Sequence, residues 1–220
     1  MRLISSYPRS GSAKLKFLIC NILHPDVEHN FNTVNHYIPS IDSAEHLNNC
    51  ADKIRFICTH SDIRSDIYLY RHVGDVLISE YWYKKKYYGT TLNLENWIIE
   101  TNFGESWRRS IEAGRGAEKR IAFEQLGDPE ILSTVLQYPT EFIRNALEKC
   151  SFEQMRKIEK TSNLGGNEIP YMRSGQSHQW LQLACWKDIM RANEGELAYL
   201  GYWKPDDWEG RDVKINEYVN

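Results

Sequence analysis

Apolar positions along the chain alternate between short continuous runs and longer stripes at helical spacing. Residues 3–7 form a short β-prone run, and beyond the loop that follows, Leu15, Phe17, Leu18, Ile22 and Leu23 recur on one side of a helix. Residues 24–53 are polar, with Pro25, Pro39 and several Asn and His, which predicts a long excursion with little regular structure, of the kind that often serves as a lid or substrate wall. Residues 54–58 and 67–70 are nearly continuous apolar runs, as strands of a parallel sheet covered on both faces should be. A helix begins at Val73, with Val76, Leu77 and Tyr81 on the same side. Residues 104–115 follow as a helix, Lys119 opens a fourth strand, and 128–160 holds two or three helices. A Gly-rich loop occupies 161–177, and a terminal helical region starts near Gln179. Strands alternating with helices predict an α/β domain of three layers. Its central, mostly parallel sheet is flanked by helices, with ligands placed at the C-terminal ends of the strands.

Composition narrows the picture. At 220 residues and 41% hydrophobic, the chain suits one well-buried domain spanning 1–220. A net charge of −3 gives no sign of wholesale nucleic-acid binding. Cys20, Cys50, Cys58, Cys150 and Cys185 are odd in number and contain no CxxC, so neither a disulfide framework nor a zinc site is expected. His24, His29, His36, His46, His72 and His178 have no metal-ligand spacing, and no metal is assigned. Without a membrane-length apolar stretch or a leader-like start, the expectation is a cytoplasmic protein.

Candidate chemistry gathers after the predicted strands. The segment SYPRSGSAK joins the first strand to the first helix, and a helix N-terminus with Arg9, Ser10 and Ser12 beside it suits a phosphate or sulfate. A strand, a Gly turn and a helix also occur in many α/β proteins that bind nothing there. The stretch is no Walker A loop, because Ser12 and Ala13 separate Gly11 from Lys14. Arg9, His60 and Arg71 follow the first, second and third strands, so a parallel sheet would bring them to one edge.

With these residues in place the chain resembles the PAPS-dependent sulfotransferases of the cytosolic type, PAPS being 3′-phosphoadenosine-5′-phosphosulfate. That family's YP[KR]SG[TN] loop is matched by Tyr7-Pro8-Arg9-Ser10-Gly11-Ser12. Its Arg with a Ser eight positions later is matched by Arg71 and Ser79, and its late RxG loop by Arg173-Ser174-Gly175, followed by Trp180. AFEQLGDPEIL and CSFEQMRKIEK are similar to two further family segments, and CTH is similar to its K[TS]H.

The resemblance implies that Arg9, Ser10, Gly11, Ser12 and Ala13 hold the 5′-phosphosulfate, and that Arg71, Ser79, Arg173, Ser174 and Gly175 hold the 3′-phosphate. It places Phe123 and Phe152 against adenine, with Cys150 beside the latter, and makes His60 the general base. Imidazole, with an ordinary pKa of ~6.5, suits that task at neutral pH, and Arg gives each phosphate a bidentate fork. The implied reaction moves a sulfuryl group from PAPS to a hydroxyl, or an amine, of a small-molecule acceptor, leaving 3′,5′-adenosine bisphosphate (PAP). Residues 24–52, 84–103 and 162–172 are expected to build the acceptor pocket. Departures from the pattern are Arg9 for a frequent Lys, Lys14 for a frequent Trp and Cys58 for Lys. The family's dimer motif would fall on 181–190 and is not matched, so a monomer or a different oligomer is expected. Two alternatives stay open: a non-catalytic PAPS- or PAP-binding module, and a nucleotide-type kinase with an atypical phosphate loop.

Overall fold

The computed structural model describes residues 1–161 and 178–202. Four strands, β1 (Arg2–Ser6), β2 (Phe56–Thr59), β3 (Ile67–Tyr70) and β4 (Lys119–Ala122), form one sheet in the order β2-β1-β3-β4. Every pairing is parallel, with Ser5 opposite Thr59 on one side and Tyr68 on the other. The predicted α/β sheet flanked by helices is therefore present. Because the strands are parallel, all four C-terminal ends lie along one edge; the β1–β2 and β3–β4 connections carry helices, and residues 60–66 join β2 to β3 without one.

The chain groups into two compact units, Met1–Arg71 with Ala113–Gly175, and His72–Glu112 with Gln176–Asn220. In the first, α1 (Ser12–Leu23) packs with α8 (Thr140–Lys149), which also meets α7 (Pro129–Leu136). Their core joins Leu15, Phe17, Leu18 and Ile19 of α1 to Ile4, Phe56, Ile67, Leu69 and Ile121 of the sheet and to Leu132, Ile143 and Met155. Each such fully buried side chain contributes about 1.5–3 kcal/mol. Arg2 ties β1 to the end of α7, its guanidinium donating to the carbonyls of Val135 at 2.9 Å and Leu136 at 3.0 Å. These are orphan carbonyls at a helix C-terminus, where a cation is favoured.

In the second unit, α4 (Val73–Tyr88), α5 (Leu94–Glu100), a short 3₁₀ turn at Gln179–Gln182, α10 (Trp186–Ala192) and α11 (Glu194–Tyr199) surround buried Tyr81, Trp97 and Trp180. His72 opens α4 by accepting the Gly74 N–H, and its ring stacks on Trp180 with centroids 4.4 Å apart. A Cβ on Gly74 would overlap that indole, so the close approach of helix and ring requires glycine. Helix α6 (Glu105–Gly114) leads back to the first unit. Among the described residues no helix is long and apolar enough to cross a membrane.

The polar excursion is more ordered than its composition predicts. Two short helices, α2 (Phe31–Tyr37) and α3 (Ala44–Asn48), form because their first amide groups are capped: Asn30 and Thr33 make a reciprocal capping box, and Ser43 accepts the His46 N–H. α5 was likewise not predicted, and Asn93 caps it. After α2 the chain pairs with the outer side of β2: Ser40 makes a parallel bridge to Cys58, with Ile41 N–H donating to the Cys58 carbonyl and Cys58 N–H to the Pro39 carbonyl, both at 2.9 Å. β2 itself begins at Phe56, two residues later than the apolar run predicts, because its register is set opposite Arg2.

Within the excursion His29 is buried. Its Nε2–H donates to the His24 carbonyl at 3.0 Å, and its Nδ1 meets no hydrogen-bond partner among the described residues. Tyr37 lies between the two rings, stacked on His24 at 4.1 Å and edge-on to His29 at 5.9 Å. Burial pushes the His29 imidazole below the ordinary histidine value, helped by the charges of His24 and Lys149 and opposed by the backbone hydrogen bonds. The unfolded chain then binds more protons than the folded one as pH falls, so this contribution is full above the ordinary histidine pKa and is lost on acidification. Unfolding titrations between about pH 7.5 and pH 5.5 should show stability falling, and His29→Gln, which retains a donor, should make that fall shallower.

Candidate functional site

The loop after β1 is built around two left-handed residues. Ser10 N–H donates to the Tyr7 carbonyl at 3.2 Å, with Pro8 in the second position and Arg9, at φ 70°, in the third. Pro followed by positive φ is the signature of a type II turn, which ordinarily takes glycine in the third position. Arg9 therefore holds a conformation that costs roughly 1 kcal/mol. Gly11 follows at φ 101° and starts α1 with no side-chain cap and no acidic residue in the first turn, where Ser12, Ala13 and Lys14 lie. Left-handed residues beside a helix start are the geometry in which backbone N–H groups form a concave anion seat. Ser10 is fully buried, and its hydroxyl has no hydrogen-bond partner among the described residues. A donor in that position fits an anion such as the phosphosulfate that the resemblance implies.

The neighbouring strand ends bring in the other groups. His60 directly follows β2, and Arg71 directly follows β3, so Arg9, His60 and Arg71 all leave the same edge of the sheet, as expected from a parallel arrangement. His60 is exposed, with its Nδ1 2.8 Å from the Ser6 carbonyl. A carbonyl only accepts, so Nδ1 carries the proton and Nε2 is the nitrogen left to take one. Asp42, from the excursion, accepts the His60 backbone N–H at 2.6 Å. Neither Ser6 nor Asp42 stood out in the sequence, because their partners lie 54 and 18 positions away.

Arg71 lies over the Phe123 ring at 4.1 Å, and the Lys14 ammonium is 5.8 Å from the same centroid. Phe123 directly follows β4 and also backs the loop, since a Cβ on Gly11 would overlap its ring. One aromatic thus supports both the loop and the guanidinium, a cation–π arrangement that restricts the rotamers open to Arg71. Burial pushes the Lys14 ammonium down, against the opposing influence of Cys150. Cys58 is buried in β2, and burial pushes its thiol up to about 11, so it stays neutral where the resemblance has a lysine. Cys150 is buried too, its thiol also pushed up to about 11, beside the Asn21 amide at 3.5 Å.

Phe152 opens α9 (Phe152–Thr161) and is 38% exposed, with the Arg156 guanidinium 5.8 Å from its ring. Ser79 lies on α4 in the second unit, half-buried. Arg173, Ser174 and Gly175, with the whole of the expected 162–172 pocket segment, lie outside the described residues. Among the described residues no group of three or more His, Cys, Asp or Glu could hold a metal ion.

The positive φ of Gly11 and its contact with Phe123 make one substitution diagnostic. Gly11→Ala should cost about 2 kcal/mol or more in urea unfolding. Adding Phe123→Leu should return part of that loss if ring overlap is the cause, and none of it if backbone strain acts alone.

No family model matches the chain, and no curated protein matches it in sequence. Solved structures do. A mouse sulfotransferase, SULT7A1, complexed with PAP aligns with a TM-score of 0.63 at 17% identity, over 91% of this chain and 87% of that one. A retinol dehydratase in complex with retinol and PAP aligns with a TM-score of 0.59 at 14% identity, over 96% of this chain and 82% of that one. A retinol dehydratase in complex with androsterone and PAP gives 0.59 at 15% identity, over 98% and 82%. The four-stranded parallel sheet and its flanking helices give this chain the sulfotransferase fold.

Proposed function

We propose that the chain is a single sulfotransferase domain, residues 1–220, that moves a sulfuryl group from PAPS to the hydroxyl of a small-molecule acceptor. The observation that supports this most directly is the anion-seat loop, with the buried Ser10 hydroxyl that has no hydrogen-bond partner among the described residues, on the same sheet edge as His60 and Arg71. Ser10, Gly11, Ser12 and Ala13 would hold the 5′ group, and Arg9 would stabilise charge on the oxygen that departs with the phosphate. Arg71 would pair with the 3′-phosphate while resting on Phe123. By resemblance Ser79, Arg173, Ser174 and Gly175 are proposed to complete those phosphate contacts, and Phe123 and Phe152 to flank the adenine.

His60 is the proposed base. As the acceptor oxygen bonds to sulfur, its proton passes to Nε2, while the bond from sulfur to the phosphate oxygen breaks and PAP leaves. Nδ1–H stays on the Ser6 carbonyl throughout, so the ring need not turn between its two charge states. Retinol and androsterone, bound by the solved relatives, make apolar hydroxyl compounds the first acceptors to screen. A second reading, PAP binding without turnover, is favoured by one observation: the neutral Cys58 thiol where the resemblance has a lysine.

Calorimetric titration separates these readings from a kinase. PAP should bind the wild type and ATP with Mg²⁺ should bind weakly. Arg71→Ala should weaken PAP by roughly 30- to 150-fold, the worth of a charged hydrogen-bonded contact of about 2–3 kcal/mol. ATP binding more tightly than PAP, or neither binding, would refute the proposal. His60→Ala should retain PAP affinity yet lose roughly 10²–10⁴-fold in transfer rate with PAPS; unchanged turnover would remove His60 from the mechanism.

A further inference from the structure

We propose that Asp42 is a positioning residue for His60, which gives the excursion between α1 and β2 a direct hold on the base; this rests on the sulfotransferase reading above. Asp42 lies two residues beyond the bridge of Ser40 to Cys58, at the end of β2 from which His60 departs. One carboxylate oxygen accepts the His60 backbone N–H at 2.6 Å and the Ser40 hydroxyl at 3.3 Å. The other accepts the hydroxyls of Thr59 at 2.8 Å and Ser61 at 2.9 Å. Thr59 Oγ1 in turn accepts the Ser61 N–H at 2.9 Å, so the carboxylate and the threonine together close the turn that carries the histidine.

Two consequences follow for the ring. His60 is held at two points, its backbone amide on Asp42 and its Nδ1–H on the Ser6 carbonyl, from segments on opposite sides of it in sequence. A ring anchored at both points presents Nε2 in one direction. The second consequence is electrostatic. Burial opposes the Asp42 charge, but the hydrogen bonds from the His60 amide and the Thr59 and Ser61 hydroxyls, with the imidazole nearby, outweigh it and hold the carboxyl below its usual range. Asp42 is thus an anion at neutral pH, so the hydrogen bond that anchors the His60 backbone amide is charge-assisted. Other titratable groups around this turn are the neutral Cys58 thiol of β2 and the Lys16 ammonium of α1, whose charge Cys58 senses together with that of Asp42. Asp42 touches no reacting atom in this scheme and acts through His60.

Long-range ¹H–¹⁵N NMR of the histidine rings in the full chain tests the assignment without an acceptor, for wild type, Asp42→Asn and Asp42→Ala, with PAP affinity measured alongside by calorimetry. In the wild type neutral His60 should carry its proton on Nδ1. Both variants should keep wild-type PAP affinity and show a mixture of His60 tautomers, because the turn that carries the ring is no longer closed by the carboxylate. A carboxylate without a hold on the ring would leave the Nδ1-protonated tautomer in place in both variants. A wild-type ring protonated mainly on Nε2, or variant rings that keep the wild-type tautomer alone, would overturn the proposal. If the variants do not fold, the wild-type tautomer decides. Failure of the wild type to bind PAP sinks the sulfotransferase reading separately, whatever the NMR shows.

Discussion

Parallel pairing of β1 with β2 and β3 is the constraint on which the candidate site depends. A parallel sheet cannot be closed by hairpins, so each strand must leave from the same edge and return through a crossover. Here that edge delivers the Tyr7–Ser10 turn, His60 and Arg71 from three successive strands. The register is pinned by apolar burial, since Ile4, Phe56, Ile67 and Leu69 all face a packed interior, and a slip by one residue would turn each of them to the other face.

Uncharged groups form part of the surroundings of this edge. Arg71 rests on an aromatic face, and the thiols that might have titrated nearby are kept neutral by burial, Cys20 pushed up to about 12 and Cys58 and Cys150 to about 11. Guanidinium is the cation best suited to such surroundings, because it is weakly hydrated and stays protonated when partly buried. The ammonium of Lys14, by contrast, is pushed down by its own burial close to the same ring. Arg9, two residues before Gly11, also holds a strained left-handed φ of 70° on this edge.

The excursion between α1 and β2 shows how much composition can conceal. Asn and His density suggested an irregular wall, yet capping by Asn30, Thr33 and Ser43 was present in the sequence as a local signal. Its pairing with β2 through Ser40 was not, because the partner lies 18 positions on and neither segment reads as an edge-strand pair. The consequence reaches the site, since Asp42 meets Thr59, His60 and Ser61 only through that pairing.

The amino-acid sequence alone determined the alternation of strands and helices, the Pro8–Arg9–Ser10–Gly11 loop and the placement of Arg9, His60 and Arg71 after three strands. Those features rest on residues a few positions apart, where side-chain periodicity, turn chemistry and capping act. Only the tertiary structure decided which nitrogen of His60 faces the Ser6 carbonyl, that Phe123 underlies both Arg71 and Gly11, and that a carboxylate from the polar excursion caps the turn that carries His60. Each of these joins groups many residues apart, and strand register and core packing, rather than any local pattern, bring such groups within hydrogen-bonding distance.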